Sequence, residues 1–371
     1  MSRRMRHLAA GALIPMVLAS YVTLGPTGLR VSPLCLGAMT FGSDYGCDRA
    51  TAWEILDLYR EAGGNFVDTA NGYGEGRSEE YIGEYIGRRA GLRDSLVIAT
   101  KFAGNLFPDD PNGGGAGRKA IFRQIEHSLR RLRTDYIDLY WLHNHDRHTP
   151  IEETMAALDD LVSSGKVRYI GLSDTPAWAV ARAATICQFR GWTPVAAIQV
   201  EYSLLQRSVE GELFGVANEL NLGVTPWGPL ASGVLSGKYT RDDRSPADAK
   251  RATWNTRRLD EKTFNLLDVL HTIATELDAS AAAVALAWVR HQHPVTSTII
   301  GARTTEQLKA NLASLDVTLS AEHLSELDAL TRPRLDFPAE FLETVAPNWQ
   351  QAGATINGLD SVNYRARTTI S

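Results

Sequence analysis

Asp68, Tyr73, Lys101 and His143 each stand at or just beyond the end of a short apolar run. Brought into one pocket, they would form a proton-donating site. A phenol titrates at about 10 in water, too high for an efficient acid at neutral pH. An ammonium beside it favours phenolate and brings that value down, which is the part open to Lys101. A lysine taken out of water keeps its charge only beside a countercharge, and Asp68 could supply it. Tyr73 would then give its proton to a developing alkoxide, with His143 hydrogen-bonded to the same oxygen. The chemistry is that of carbonyl reduction. Singly, the residues have ordinary readings: a turn or cap for the aspartate, packing for the tyrosine, a satisfied structural group for the histidine. Only convergence on one pocket would give them a common purpose.

The elements that must position them are visible as an alternation. Aliphatic or β-branched runs occur at 33–36, 65–68, 96–101, 137–142, 167–173, 197–200, 223–226 and 298–300, each followed by a segment of helical period. Asp48 is a cap for the first helix, which Gly63 and Gly64 end. Thr149-Pro150-Ile151-Glu152 reads as a capping box with proline at N1, and Thr175-Pro176 opens the next helix in the same way. Gly165 and Gly191 close these two helices. Eight such strand–helix units close into a parallel barrel with a filled interior. The fold class expected is therefore α/β, a (β/α)8 TIM barrel. An N-terminal β-hairpin turns at Gly25-Pro26-Thr27-Gly28, and long βα loops lie at the C-terminal face. A doubly wound sheet binding a dinucleotide would carry GxGxxG after its first strand, and this sequence has none. The run Gly113-Gly114-Gly115-Ala116-Gly117 leads into Arg118-Lys119 and not Gly-Lys-Ser/Thr, so it reads as a loop, not a phosphate cradle. The polar stretch 239–258 exceeds what a barrel connection needs and reads as an excursion over one face.

Barrel active sites gather where strands end. The later runs end in Ser173-Asp174, Gln199, Trp227 and Gly301-Ala302-Arg303. Thr304-Thr305-Glu306-Gln307 reads as a capping box, which sets a helix N-terminus beside Arg303 and makes an anion site.

The chain's 371 residues, 44% hydrophobic and 22% charged, are those of a soluble globular protein rather than a disordered, collagenous or membrane-bundle one. A net charge of -5 gives no basic field for nucleic acid, and no membrane partner is expected. Cys35, Cys47 and Cys187 lack CxxC spacing, which points to a reducing compartment and a cytoplasmic location. His143 with His145 and His291 with His293 form HxH pairs that no carboxylate or cysteine completes, so no metal is expected. Residues 1–20 form an N-terminal extension in which Arg3, Arg4 and Arg6 precede an apolar segment broken by Pro15. It resembles the start of a signal peptide, is too short to span a bilayer, and carries a twin-arginine-like export reading as its alternative. Residues 1–15 are expected to be no part of the working fold, since a start at Met16 leaves every site residue in place. The barrel is expected over 21–332 and a tail near the substrate pocket over 333–371.

Several stretches resemble the aldo-keto reductase superfamily over almost the whole chain. They include Leu36-Gly37-Ala38-Met39-Thr40-Phe41-Gly42, Asp68-Thr69-Ala70-Asn71-Gly72-Tyr73-Gly74, Trp141-Leu142-His143-Asn144-His145-Asp146, Gly165-Lys166-Val167-Arg168, Trp227-Gly228-Pro229-Leu230 and Ile300-Gly301-Ala302-Arg303. Within the superfamily the chain is most similar to the aryl-alcohol dehydrogenase-like group, near the potassium-channel β subunits. The resemblance implies an extended NADP(H) cofactor and a catalytic tetrad of Asp68, Tyr73, Lys101 and His143. It implies cofactor contacts from Ala38 and Met39, with Ser173, Asp174 and Gln199 at the nicotinamide carboxamide and Trp227 stacked on its ring. Pro229, Leu230, Lys238 and Arg251 match phosphate contacts, and Gly301, Arg303, Gln307 and Asn311 match the 2′-phosphate and adenine site. Asp174 departs from the commoner asparagine: it accepts from the carboxamide but cannot donate to it.

The activity expected is NADPH-dependent reduction of aldehydes or ketones, reversible as alcohol oxidation. Phe102, Phe107 and Trp141 near the mouth favour an apolar or aromatic carbonyl substrate. Two other classes compete: a cofactor-sensing interaction protein like a channel β subunit, in which asparagine tends to replace His143, and a barrel aldolase or isomerase using Lys101 as a Schiff-base nucleophile.

Overall fold

The computed structural model describes residues 17–246 and 258–363. A two-stranded antiparallel hairpin, β1 (Val22–Thr23) and β2 (Arg30–Val31), precedes eight parallel strands. These are β3 (Leu34–Gly37), β4 (Phe66–Asp68), β5 (Val97–Phe102), β6 (Ile137–Leu142), β7 (Val167–Ser173), β8 (Val195–Glu201), β9 (Gly223–Trp227) and β10 (Thr298–Gly301). They pair in the order β10-β3-β4-β5-β6-β7-β8-β9. At the remaining seam Val224 bridges Val295, and the Thr296 amide donates to the Val224 carbonyl at 2.8 Å. The result is the expected (β/α)8 barrel.

Its outer ring comprises α1 (Arg49–Glu61), α2 (Arg77–Ile86), α3 (Arg118–Leu132), α4 (Ile151–Ser163), α5 (Ala177–Arg190) and α6 (Leu213–Glu219). Two helices, α7 (Glu261–Glu276) and α8 (Ala281–His291), lie between β9 and β10, and α9 (Thr305–Leu312) and α10 (Ala321–Thr331) complete the ring. Asp48 caps α1 by accepting from the Thr51 amide at 2.9 Å. The capping box expected before α4 does not form. Pro150 stands at the cap position, and the Thr149 hydroxyl is drawn instead to Asp146 at 2.7 Å. Asp146 also accepts from the Ala116 amide at 2.9 Å, so it ties two of the long loops together. The Thr175 hydroxyl likewise donates to the Ser173 carbonyl at 2.8 Å, leaving α5 to begin behind Pro176 without a side-chain cap.

Two glycines show how the barrel is filled. A Cβ on Gly25, whose φ is +57°, would stand 2.2 Å from the Ala196 carbonyl oxygen, so only glycine lets the hairpin press onto the starts of β8 and β9. Leu24 and Val31 of the hairpin thereby plug the base, fully buried against Phe66, Val97, Leu139 and Trp141 inside the barrel. A Cβ on Gly171 would come within 2.3 Å of the Trp141 indole, which occupies that room.

Beyond the barrel, α11 (Ala339–Thr344) and α12 (Ala346–Gln351) follow. Leu335 and Ala339 lie against Gly211 in the loop after β8. Among the described residues no single helix is long and apolar enough to cross a membrane. The expectations for residues 1–15 and for Arg251 fall outside the described residues.

Candidate active site

The C-terminal ends of β4, β5 and β6 deliver Asp68, Lys101 and His143 to one place because these strands pair in register, Asp68 beside Ala99 and Lys101 beside Trp141. Tyr73 arrives on the short helix Tyr73–Gly76, whose turn carries Gly74 and Glu75 at positive φ. The Lys101 ammonium is 1% exposed, paired with Asp68, and donates to the Thr69 carbonyl at 2.9 Å and to the Tyr73 hydroxyl at 3.2 Å. The other oxygen of Asp68 accepts from the Gln199 amide at 3.1 Å. The Tyr73 ring meets the His143 ring edge-on, centroids 5.7 Å apart. All four expected residues are thus in one cluster.

Charge follows from this packing. Burial works against the Lys101 ammonium, but Asp68 and Tyr73 outweigh it and hold the group above its ordinary range. Burial drives Tyr73 above the usual phenol value; the Lys101 ammonium opposes that rise without reversing it, and Asp68 adds to it. The expectation that Lys101 brings the phenol down is therefore corrected: desolvation of a phenolate costs more than this ammonium, already neutralised by Asp68, returns. Burial first, and Lys101 second, push His143 down to about 3. At neutral pH the cluster is a neutral phenol, a neutral imidazole and a charged lysine–aspartate pair.

A cavity of about 660 Å³ opens from this cluster, ample for a bound organic ligand. Of the residues singled out from the sequence, Met39, Asp68, Tyr73, Trp227, Pro229, Leu230, Lys238, Gly301, Arg303, Gln307 and Asn311 line it. Ala38, Lys101, His143, Ser173, Asp174 and Gln199 are not among the lining residues; Ala38 donates its amide to the Asp68 carbonyl at 2.8 Å, and Lys101 and His143 reach the wall through Tyr73. At the far end Thr304 caps α9 by accepting from the Gln307 amide at 3.2 Å, while the Gln307 side-chain oxygen takes the Arg303 amide at 2.9 Å. The reciprocal half of the expected capping box is therefore displaced by one residue.

Whether a dinucleotide suits this site is tested by two features. The Ser173 hydroxyl is buried at the end of β7 without a hydrogen-bond partner among the described residues, a position that a ligand amide would satisfy. The backbone of Gly228, Ser232 and Gly233 takes positive φ along the cavity wall, leading to Lys238, with Arg303 on the same wall. Two basic side chains on one wall of the cavity suit an extended anion. The donor set fits.

The aromatic lining differs from expectation. Phe102 and Trp141 are fully buried: the first stacks on Tyr140 toward the helices, the second fills the barrel interior. Strand alternation turns Phe102 outward, whereas Trp141 shares the inward face of Lys101 and His143 and lies deeper in the barrel. Phe107 lies on the Arg123 guanidinium. On the loop side of β6 the aromatic next to His145 is Trp178, 61% exposed, whose ring meets His145 edge-on at 5.4 Å.

Sequence reading also passed over Glu201, Arg258 and Thr40. Glu201 ends β8 and pairs with Arg258 at 2.7 Å, and both line the cavity. The Thr40 hydroxyl donates to the Ala302 carbonyl at 2.8 Å, joining the first βα loop to the last strand. Glu201 was legible as one more polar strand end; the pairing with Arg258 was not, because nothing local links them. None of residues 333–363 lines the cavity. Among the described residues no group of three or more His, Cys, Asp or Glu side chains is placed to hold a metal ion.

Proteins similar in sequence carry oxidoreductase names. Norsolorinic acid reductase A of Aspergillus parasiticus is 36% identical over 343 residues, 88% of this chain and 85% of its own length. An uncharacterized oxidoreductase of Bacillus subtilis is 40% identical over 317 residues, covering 83% of this chain and 94% of its own length. An aryl-alcohol dehydrogenase of Pestalotiopsis microspora is 34% identical over 336 residues, covering 88% and 86%. The model of the aldo/keto reductase family matches residues 33–332, which is the whole barrel with its site. On that match and this architecture, the chain belongs to the aldo/keto reductase family and is an oxidoreductase.

Proposed function

We propose that the chain is an NADP(H)-dependent carbonyl reductase, reversible as an alcohol dehydrogenase, that takes apolar or aromatic aldehydes and ketones, a substrate class supported by the likeness to an aryl-alcohol dehydrogenase and not by Phe102, Phe107 or Trp141. The observation that carries this reading is the hydrogen bond from the buried Lys101 ammonium to the Tyr73 hydroxyl, beside a neutral His143. A bound nicotinamide supplies the hydride. Tyr73 gives the proton to the substrate oxygen. Lys101 holds the Tyr73 oxygen in place and offsets charge developing on it, and Asp68 keeps Lys101 charged. His143, neutral at working pH, hydrogen-bonds the substrate oxygen without competing as an acid. Ser173, Gln199 and Trp227 would hold the nicotinamide, Pro229, Leu230 and Lys238 the phosphates, and Arg303, Gln307 and Asn311 the adenosine end. A cytoplasmic location suits three free cysteines and a supply of NADPH.

The test is a panel of aromatic and aliphatic aldehydes and ketones followed by loss of NADPH absorbance. Turnover of none of them would end the reading. His143 supports the enzyme over a cofactor sensor, and the charged Lys101 argues against a Schiff base, since only a free amine attacks a carbonyl. Borohydride reduction in the presence of an aldehyde is expected to leave Lys101 unlabelled in intact-mass analysis; a covalent adduct there would favour the aldolase class.

NADPH should bind more tightly than NADH, because Arg303 and the amides opening α9 can meet a dianionic phosphate that NADH lacks. Charge-assisted contacts are worth roughly 1.5 to 3 kcal/mol each, so the preference is on the order of tenfold to a hundredfold. Calorimetry on the wild type and Arg303→Ala checks this. The variant should lose most of the preference, and equal affinity of the wild type for both nucleotides would remove Arg303 from the role.

A further inference from the structure

We propose that Asp174 sets the redox preference of the nicotinamide site, holding the oxidised, cationic ring more tightly than the reduced, neutral one. The proposal rests on the cofactor reading above. Asp174 leaves β7 beside the reacting groups. Its amide donates to the Gln199 carbonyl at 3.1 Å, its carbonyl accepts from the His145 amide at 3.3 Å, and its side-chain oxygen accepts from the Trp227 indole N–H at 3.0 Å. Trp227 in turn forms part of the cavity wall that includes Tyr73.

The other charges at this end of the cavity cancel in pairs. Asp68 is matched by Lys101, and Glu201 by Arg258. Asp174 belongs to neither pair, and the indole that bonds it satisfies an oxygen without cancelling the charge. Desolvation holds its carboxyl above the ordinary carboxylate range and Glu201 adds to the rise, while the Trp227 N–H and the Lys101 ammonium oppose it without reversing it. A carboxylate there leaves the nicotinamide end one unit negative, and its attraction acts on a ring that is cationic only when oxidised. The same attraction favours hydride departure from the reduced ring, because positive charge grows there as the hydride leaves.

The backbone permits a clean test. Asp174 has φ of +41°, a conformation that short polar residues tolerate, asparagine as well as aspartate. Asp174→Asn keeps the shape and an oxygen for the Trp227 N–H, removes the charge and turns the second oxygen into an N–H donor, which the carboxamide of either nucleotide meets alike, so the ratio of the two constants reads the charge. Dissociation constants for NADP+ and NADPH are to be measured by calorimetry on the full chain, for wild type, Asp174→Asn and Asp174→Ser. Unit charges a few ångströms apart near a protein surface change such constants on the order of tenfold. Both variants are therefore expected to lose about tenfold in NADP+ affinity and less than about twofold in NADPH affinity. Equal losses for the two nucleotides would show a merely structural role and overturn the proposal, as would a ratio unchanged in whichever variant folds. Wild-type protein that binds neither nucleotide overturns the cofactor reading itself, a distinct result from an unchanged ratio.

Discussion

Tyr73→Phe is expected to lower the rate of carbonyl reduction by about 10²- to 10⁴-fold, the range that general acid catalysis supplies. The phenol oxygen is bonded by Lys101 and sits against His143, so its removal takes away the proton donor and leaves the neighbouring ring packing intact. NADPH affinity should stay within about twofold, because this hydroxyl acts on the substrate oxygen; steady-state kinetics with a calorimetric Kd separates the two effects. The pH profile of the wild type carries the same argument. Burial holds Tyr73 above its ordinary value, so the donor stays protonated throughout the neutral range. His143, pushed down to about 3, takes no proton there either. The reduction rate should therefore be flat from about pH 6 to 9 and fall only as the phenol ionises above its ordinary value of about 10. A phenylalanine variant that turned over at the wild-type rate would pass the donor role to another group.

The barrel was legible because each strand is a short aliphatic run closed by a polar residue, and the hairpin because Gly25-Pro26-Thr27-Gly28 can only turn. The tetrad was legible for the same reason: strand ends converge in any closed parallel barrel, so residues at 68, 101 and 143 meet without knowledge of the loops. What escaped depended on competition between partners. Thr149 looks like a cap, but Asp146 offers its hydroxyl a better acceptor. Phe102 and Trp141 border the site in sequence, yet strand alternation turns the first out toward the helices and the space above Gly171 takes the second into the barrel interior. The direction of the Tyr73 shift escaped because it is a balance between desolvation and an ammonium already neutralised by Asp68, and burial has no sequence signature. The Glu201–Arg258 pair joins distant segments and could come only from coordinates.

Lys101→Met should damage stability as well as rate. In the wild type Lys101 and Asp68 are 1% and 2% exposed, and each is the other's charge partner. Methionine fills a similar volume but withdraws the cation, leaving Asp68 with one neutral donor, the Gln199 amide. Breaking a buried ion pair from one side typically costs about 3 to 5 kcal/mol, because the surviving charge is neither solvated nor matched. The variant should therefore unfold at markedly lower denaturant concentration, and reduction should fall as the Tyr73 oxygen loses the ammonium that holds it. Stability and chemistry are then separated by pairing the change with Asp68→Asn. The double variant buries no unmatched charge, so it should recover a large part of the lost stability while remaining as slow as Lys101→Met alone. Urea unfolding and steady-state rates on the two single variants and the double variant give the full cycle. A double variant as unstable as the sum of its parts would mean that Asp68 and Lys101 do not act as a pair, and one that regained wild-type turnover would take Lys101 out of the chemistry.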